Sequence, residues 1–168
     1  MLMSHQDDIE YQLDTLAIRT GHTRSFEGEH SEPIFLTSSF VYENAAEAAA
    51  KFSGAEPGNI YSRFTNPTVA MFEKRLAALE GAERAVATST GMAAIMAVAM
   101  AFLKLGDHVI CSRAVFGSTV SLFEKYIAKF GVTVDFVDLS DLNAWKNAIK
   151  SETKLLFVES PSNPLAEI

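Results

Sequence analysis

The residues best suited to chemistry fall in short polar turns. Ser89-Thr90-Gly91-Met92 follows the β-branched and apolar run Arg84–Thr88 and precedes the apolar run Ala93–Leu103. A strand, a tight turn and a helix in that order place the unpaired N–H groups and positive dipole end of the helix beside the turn. Gly91 lets a ligand come close to those N–H groups, which makes the turn a seat for an anion, with phosphate the usual one. The competing reading is that Ser89 or Thr90 only caps a core helix. Arg113–Thr119 (RAVFGST) and Glu159–Pro164 (ESPSNP) offer an aromatic face at Phe116 and a polar side chain at Asn163. Tyr61-Ser62-Arg63 pairs a guanidinium fork, suited to paired oxygens, with a phenol donor, although the triplet alone is a frequent chance occurrence.

Other chemistries find less support. There is no G-x-G-x-x-G after the first strand and no G-x-x-x-x-G-K-[ST], so neither dinucleotide binding nor a P-loop is indicated. His5, His22, His30 and His108 lack paired ligand spacing, and no metal site is expected. Cys111, the single cysteine, stands at a strand end and reads as a small buried residue rather than a nucleophile.

The elements that must position these turns follow from periodicity. Asp8–Thr20 has helical apolar spacing ended by Gly21, and Gly21–Phe35 reads as an irregular arm lying on something else, such as another subunit. Asn44 caps an alanine-rich helix closed by Gly54, and Asn66-Pro67 opens a helix that runs to Gly81. Strands are expected at Ala85–Thr88, His108–Cys111, Val132–Val137 and Lys154–Val158. Helices between them are expected over Met92–Leu103, Ser118–Phe130 and Asp141–Ile149. The Met92–Leu103 helix is apolar on every side and is expected to be buried all round. Such alternation predicts an α/β fold with a mostly parallel sheet, and ligands in these sheets bind beyond the carboxyl ends of the strands. The division expected is an arm and inter-subunit segment over residues 1–66 and a sheet domain over 67–168.

The 168 residues carry a formal charge of −7, with 48% hydrophobic and 21% charged residues. The acidic balance argues against nucleic acid and anionic membrane surfaces as partners. The acidic, polar start MLMSHQDDIE does not resemble a secretion signal, the apolar run at Met92–Leu103 is short for a bilayer, and one cysteine suits a reducing cytoplasm.

NIYSRFTNPT, LEGAERAVATSTGMAAI, the RAVFGST turn and FVESPSNP, in this order, resemble the Cys/Met-metabolism family of pyridoxal-phosphate enzymes, from about Asp14 onward. The resemblance implies the first half of the large domain of the aspartate-aminotransferase-like fold (fold type I), with pyridoxal 5′-phosphate as cofactor. GEHSEPIFLTSSF and VFGSTVSLFEKY resemble the branch that replaces the succinyloxy group of O-succinylhomoserine with sulfide, giving homocysteine for methionine synthesis. By the same resemblance, the N–H groups of Gly91 and Met92 would hold the cofactor phosphate. Tyr61 and Arg63 would reach the phosphate in a neighbouring subunit, which implies a homo-oligomer (a dimer of dimers) with shared sites. Asn163 would bond the ring oxygen. Phe116 would stack on the ring where many family members carry tyrosine. That departure suits the sulfide branch and weakens, without excluding, a γ-lyase or γ-synthase.

The chemistry also needs a lysine to hold the cofactor covalently and move protons, and an acid to keep the ring nitrogen protonated. Ser151-Glu152-Thr153-Lys154 resembles the family's lysine motif superficially but precedes ESPSNP, whereas the family's lysine follows it. Lys154 is therefore expected to be an ordinary strand-edge lysine, and the reactive lysine is expected beyond Ile168. The segment alone is expected to be inactive, and an interaction role without catalysis is the alternative of another class.

Overall fold

The computed structural model describes residues 11–168, and these divide into two compact units between Ala87 and Thr88. The expectations for His5 and for the helix before Tyr11 lie outside the described residues.

In the first unit, α1 spans Leu13–Arg19, α2 Ala45–Ser53 and α3 Pro67–Leu79. The caps act as their residue types predict. Asn44 accepts the Glu47 N–H at the start of α2, and Gly54 closes that helix in the left-handed region. Asn66 accepts the Thr68 N–H ahead of Pro67, the first residue of α3. The arm after Gly21 has no regular structure, as expected, yet part of it lies on α3 of its own chain. Arg75 of α3 donates from Nε to the Thr20 carbonyl at 3.0 Å and from its terminal nitrogen to Glu32. The Phe35 N–H donates to Thr68 Oγ1 at 3.0 Å. Gly21 makes the approach possible: its φ is +84°, and a Cβ there would stand 2.6 Å from the Met71 carbonyl oxygen. Because α3 also packs on α1, it belongs with the arm in this unit rather than with residues after 87.

The second unit contains α4 (Gly91–Phe102), β1 (His108–Ser112), α5 (Gly117–Ser121), β2 (Thr133–Val137), α6 (Leu142–Ala148) and β3 (Thr153–Phe157). The helix after Gly117 continues through a π turn at Leu122–Tyr126 and a tighter 3-10 turn at Ile127–Phe130, ending at Gly131 with φ +75°. The sheet is parallel, in the order β2-β1-β3. β1 is buried along its whole length, as the central strand of a parallel sheet should be. Val109, Cys111, Phe123, Ile127 and Val132 form the core with Ala99 of α4, and the Phe123 and Phe157 rings meet edge-on at 5.5 Å.

Two expectations are corrected here. Ala85–Thr88 is not a strand, because the run makes no ladder among the described residues. The Ala87 N–H donates instead to the Glu73 carboxylate, and Val86 is exposed. Nor is α4 buried all round. Met92, Ile95, Met96 and Ala99 form one helical stripe against the core, while Ala94, Ala97, Val98 and Ala101 on the other side are exposed. Periodicity reports how apolar a helix is, and only the neighbours decide how many of its faces are covered.

Candidate cofactor site

The turn before α4 is built by Thr90. Its hydroxyl oxygen accepts the Ala93 N–H at 3.0 Å and its carbonyl accepts that of Ala94 at 3.1 Å. The capping reading is therefore correct for Thr90. It leaves the Gly91 and Met92 N–H groups, the first two of the helix, without an acceptor among the described residues. Nothing lies within 4 Å of where a Cβ on Gly91 would stand. A twelve-residue helix thus presents two free donors, its positive dipole end and open space, and these features suit a phosphate.

The turns after β1 and β3 lie side by side, because the two strands are neighbours in the sheet. Phe116, at the N-cap of α5, is 48% exposed. Its N–H donates to Glu159 Oε2 at 3.0 Å. Thr119, fully buried, has its hydroxyl 3.5 Å from Glu159 Oε1 and 4.0 Å from the Met92 sulfur. The three rim turns are thereby joined in one place, from Met92 through Thr119 and Glu159 to Phe116. Asn163 is exposed in the turn after β3, which closes around buried Ser162. Ser162 donates its N–H to the Glu167 carbonyl and accepts the Glu167 N–H at its hydroxyl. The donor face and the aromatic ring both fit a flat phosphorylated ring compound.

Glu159 and Thr119 carry no sequence signal of a site role. Glu159 opens the turn that carries Asn163, but its carboxylate finds Phe116 across 43 residues of chain, and no local spacing signals that. Its charge is also felt beneath the rim. The Cys111 thiol, fully buried, is pushed up to about 12, chiefly by burial and secondarily by Glu159. Cys111 is therefore inert packing, as its position suggested.

Tyr61 and Arg63 lie in the first unit. Tyr61 bridges antiparallel to Ser39, and its carbonyl accepts the N–H groups of Phe64 and Thr65, which closes the turn. The Arg63 guanidinium sits 5.5 Å from the Tyr61 ring centre and 4.6 Å from that of Phe64. Both Tyr61 and Arg63 are exposed, so a guanidinium held between two rings is presented outward.

Lys154 is the extra residue of a bulge in β3. His108 pairs with Thr153 and Val109 with Leu155, and the skipped lysine is exposed near the start of the strand, away from the carboxyl-end rim. Among the described residues no cluster of histidine, cysteine and carboxylates could hold a metal ion, and no helix is long and apolar enough to cross a membrane.

Comparison with known proteins gives the family and the fold. The model of the Cys/Met metabolism PLP-dependent enzymes matches residues 14–168. An O-succinylhomoserine sulfhydrylase of Pseudomonas aeruginosa is 63% identical over 156 residues, which are 93% of this chain and 39% of the relative. An L-methionine gamma-lyase of Fusobacterium nucleatum is 40% identical over 95% of this chain and 40% of its own length. A Campylobacter jejuni protein whose crystal structure carries N′-pyridoxyl-lysine-5′-monophosphate superposes with a TM-score of 0.87 at 33% identity, over 95% of this chain and 39% of that one. The chain thus spans about two fifths of the length of these relatives.

Proposed function

This chain belongs to the Cys/Met metabolism PLP-dependent enzymes, and on that premise we propose that it is the cofactor-receiving part of an O-succinylhomoserine sulfhydrylase. The observation that carries the choice within the family is the 63% identity to the Pseudomonas sulfhydrylase, against 40% to the Fusobacterium lyase. Phenylalanine at position 116 supports it, because a ring without a phenol can stack but cannot move a proton.

When bound, pyridoxal phosphate would supply an electron sink for loss of the proton on the carbon that bears the substrate's amino group. The residues of this chain bind and orient. Gly91 and Met92 donate their N–H groups to the phosphate, and Phe116 covers one face of the ring. Asn163 donates to the ring oxygen. Tyr61 and Arg63 serve the phosphate in a neighbouring copy, so the working form is a homo-oligomer, a dimer of dimers, in the cytoplasm. The lysine and the acid of the reaction are supplied from outside residues 1–168, and Lys154 takes no part. The overall change is displacement of succinate from O-succinylhomoserine by sulfide, giving homocysteine.

The test is a chimera in which this chain replaces the matched segment of the Pseudomonas relative. Sulfide-dependent formation of homocysteine from O-succinylhomoserine is expected. Breakdown of the substrate without any acceptor would favour the lyase reading, which the Fusobacterium relative represents. For the chain alone, borohydride after pyridoxal phosphate is expected to leave no stoichiometric adduct, and one on Lys154 would overturn the assignment.

A further inference from the structure

We infer that Glu159 is the positioning residue for the aromatic face of the site, acting through the main chain of Phe116. The inference rests on the cofactor-site reading above. Phe116 stands where the chain leaves β1 and enters α5, at an N-cap whose own side chain has no oxygen to offer the helix. Glu159, arriving from the neighbouring strand, provides a carboxylate there. One oxygen accepts the Phe116 N–H at 3.0 Å and the other faces the Thr119 hydroxyl one turn later at 3.5 Å.

Holding the N–H of Phe116 and the side chain of Thr119 together fixes the backbone on both sides of the ring. A hydrogen bond to a charged acceptor is stronger than a neutral one. Thr119 is itself fully buried and touches Met92, a residue of the anion seat, so the ring and the seat are referred to one anchor. The Phe116 carbonyl accepts the Thr119 and Val120 N–H groups, but its N–H is held by Glu159, and the residue is 48% exposed. A stacking ring that must lie parallel to a ligand needs such support, since a small misplacement costs binding.

The experiment is a double-mutant cycle on the chain. Pyridoxine 5′-phosphate has the ring and phosphate of the cofactor but no aldehyde to react with lysines. It is titrated by calorimetry against the wild type, Glu159→Ala, Glu159→Gln, Phe116→Ala and the Glu159→Ala/Phe116→Ala pair. Glu159→Ala is expected to weaken binding about five- to tenfold, and Glu159→Gln, which keeps an acceptor for Phe116, by no more than about twofold. The double variant is expected to bind like Phe116→Ala alone, because Glu159 acts through that residue. Wild-type affinity in Glu159→Ala, or losses that simply add in the double variant, would overturn the inference. If Glu159→Ala does not fold by circular dichroism, Glu159→Asp replaces it, with a carboxylate too short to reach both donors and the same expected losses.

Absence of binding by the wild type would count against the cofactor-site reading for this chain, and a ligand-free measurement then decides on Glu159. Amide exchange at Phe116 is expected to speed up about tenfold or more in Glu159→Ala and to stay slow in Glu159→Gln. Unchanged exchange would overturn the role of Glu159 on its own.

Discussion

Lys150 Nζ lies 2.7 Å from Asp135 Oδ2, and both stand within 3.4 Å of Nε2 of the buried His108 ring. The other ring nitrogen of His108 bonds Thr153 Oγ1 at 2.8 Å. One histidine at the start of β1 thereby ties β2, β3 and the turn before β3 together at the end of the sheet opposite the rim. Sequence spacing had marked His108 only as lacking a metal partner, and its role is structural.

Asp135 is held below its usual carboxylate range, first by the hydrogen bond from Lys150 and then by the charges of Lys150 and His108. A depressed folded-state pKa contributes stability above the unfolded value near 3.8 and loses it as pH falls through the folded value. Both partners are more than a third exposed, so solvent screens the pair and its contribution is about 1 kcal/mol or less. Asp135→Asn is expected to lower the melting temperature at pH 7 slightly and to flatten the acid limb of its pH profile. Parallel acid limbs for the two proteins would contradict this.

Asn66 joins three segments of the first unit. It accepts the Thr68 N–H at 2.9 Å and donates to the Phe35 carbonyl and the Ser62 hydroxyl, each at 3.1 Å. Only 8% of it is exposed. Asn66→Ala is expected to cost about 2 kcal/mol, more than a simple cap, since buried partners are left unpaired. Denaturant unfolding measures the loss. Asn66→Asp keeps the cap but not the two donated bonds and should fall between.

Cys111 is expected to resist modification. With the thiol pushed up to about 12 and fully buried, almost no thiolate exists at pH 8. A chromogenic disulfide reagent should react stoichiometrically in denaturant and only at the rate of unfolding in buffer. Prompt reaction of the folded chain would show that the core around β1 opens.

Gly91→Ala separates binding from stability. The φ of Gly91 is not in the left-handed region, and a Cβ there meets nothing within 4 Å. The substitution is expected to leave the melting temperature unchanged or slightly raised, by less than about 1 kcal/mol in stability. Because the methyl group occupies the space beside the free N–H groups, affinity for pyridoxine 5′-phosphate is expected to fall several-fold. Unaltered affinity would mean that the anion does not approach this turn.

Much of this molecule can be read without coordinates. Asn44, Asn66 and Gly131 set helix ends through bonds within a few residues, and the alternation of apolar runs after Gly106 required parallel strands. The turns carrying Phe116 and Asn163 could be put at the carboxyl ends of strands because the βαβ order leaves few other places for them. Such features are local, or repeat with a fixed period, and a single chain displays them.

What the sequence did not disclose depends on long-range pairing. Ala85–Thr88 has the composition of a strand, but a strand needs a partner, and among the described residues this run has none, its Ala87 N–H going to the Glu73 carboxylate. The residues of α4 are apolar on every side, yet packing reaches only the stripe from Met92 to Ala99. Glu159 reads as one more charged turn residue until β3 settles beside β1 and its carboxylate meets the Phe116 N–H. Local propensity decides which elements form. Their neighbours, and with them the pairing of a buried donor with its acceptor, are chosen only when the chain closes on itself.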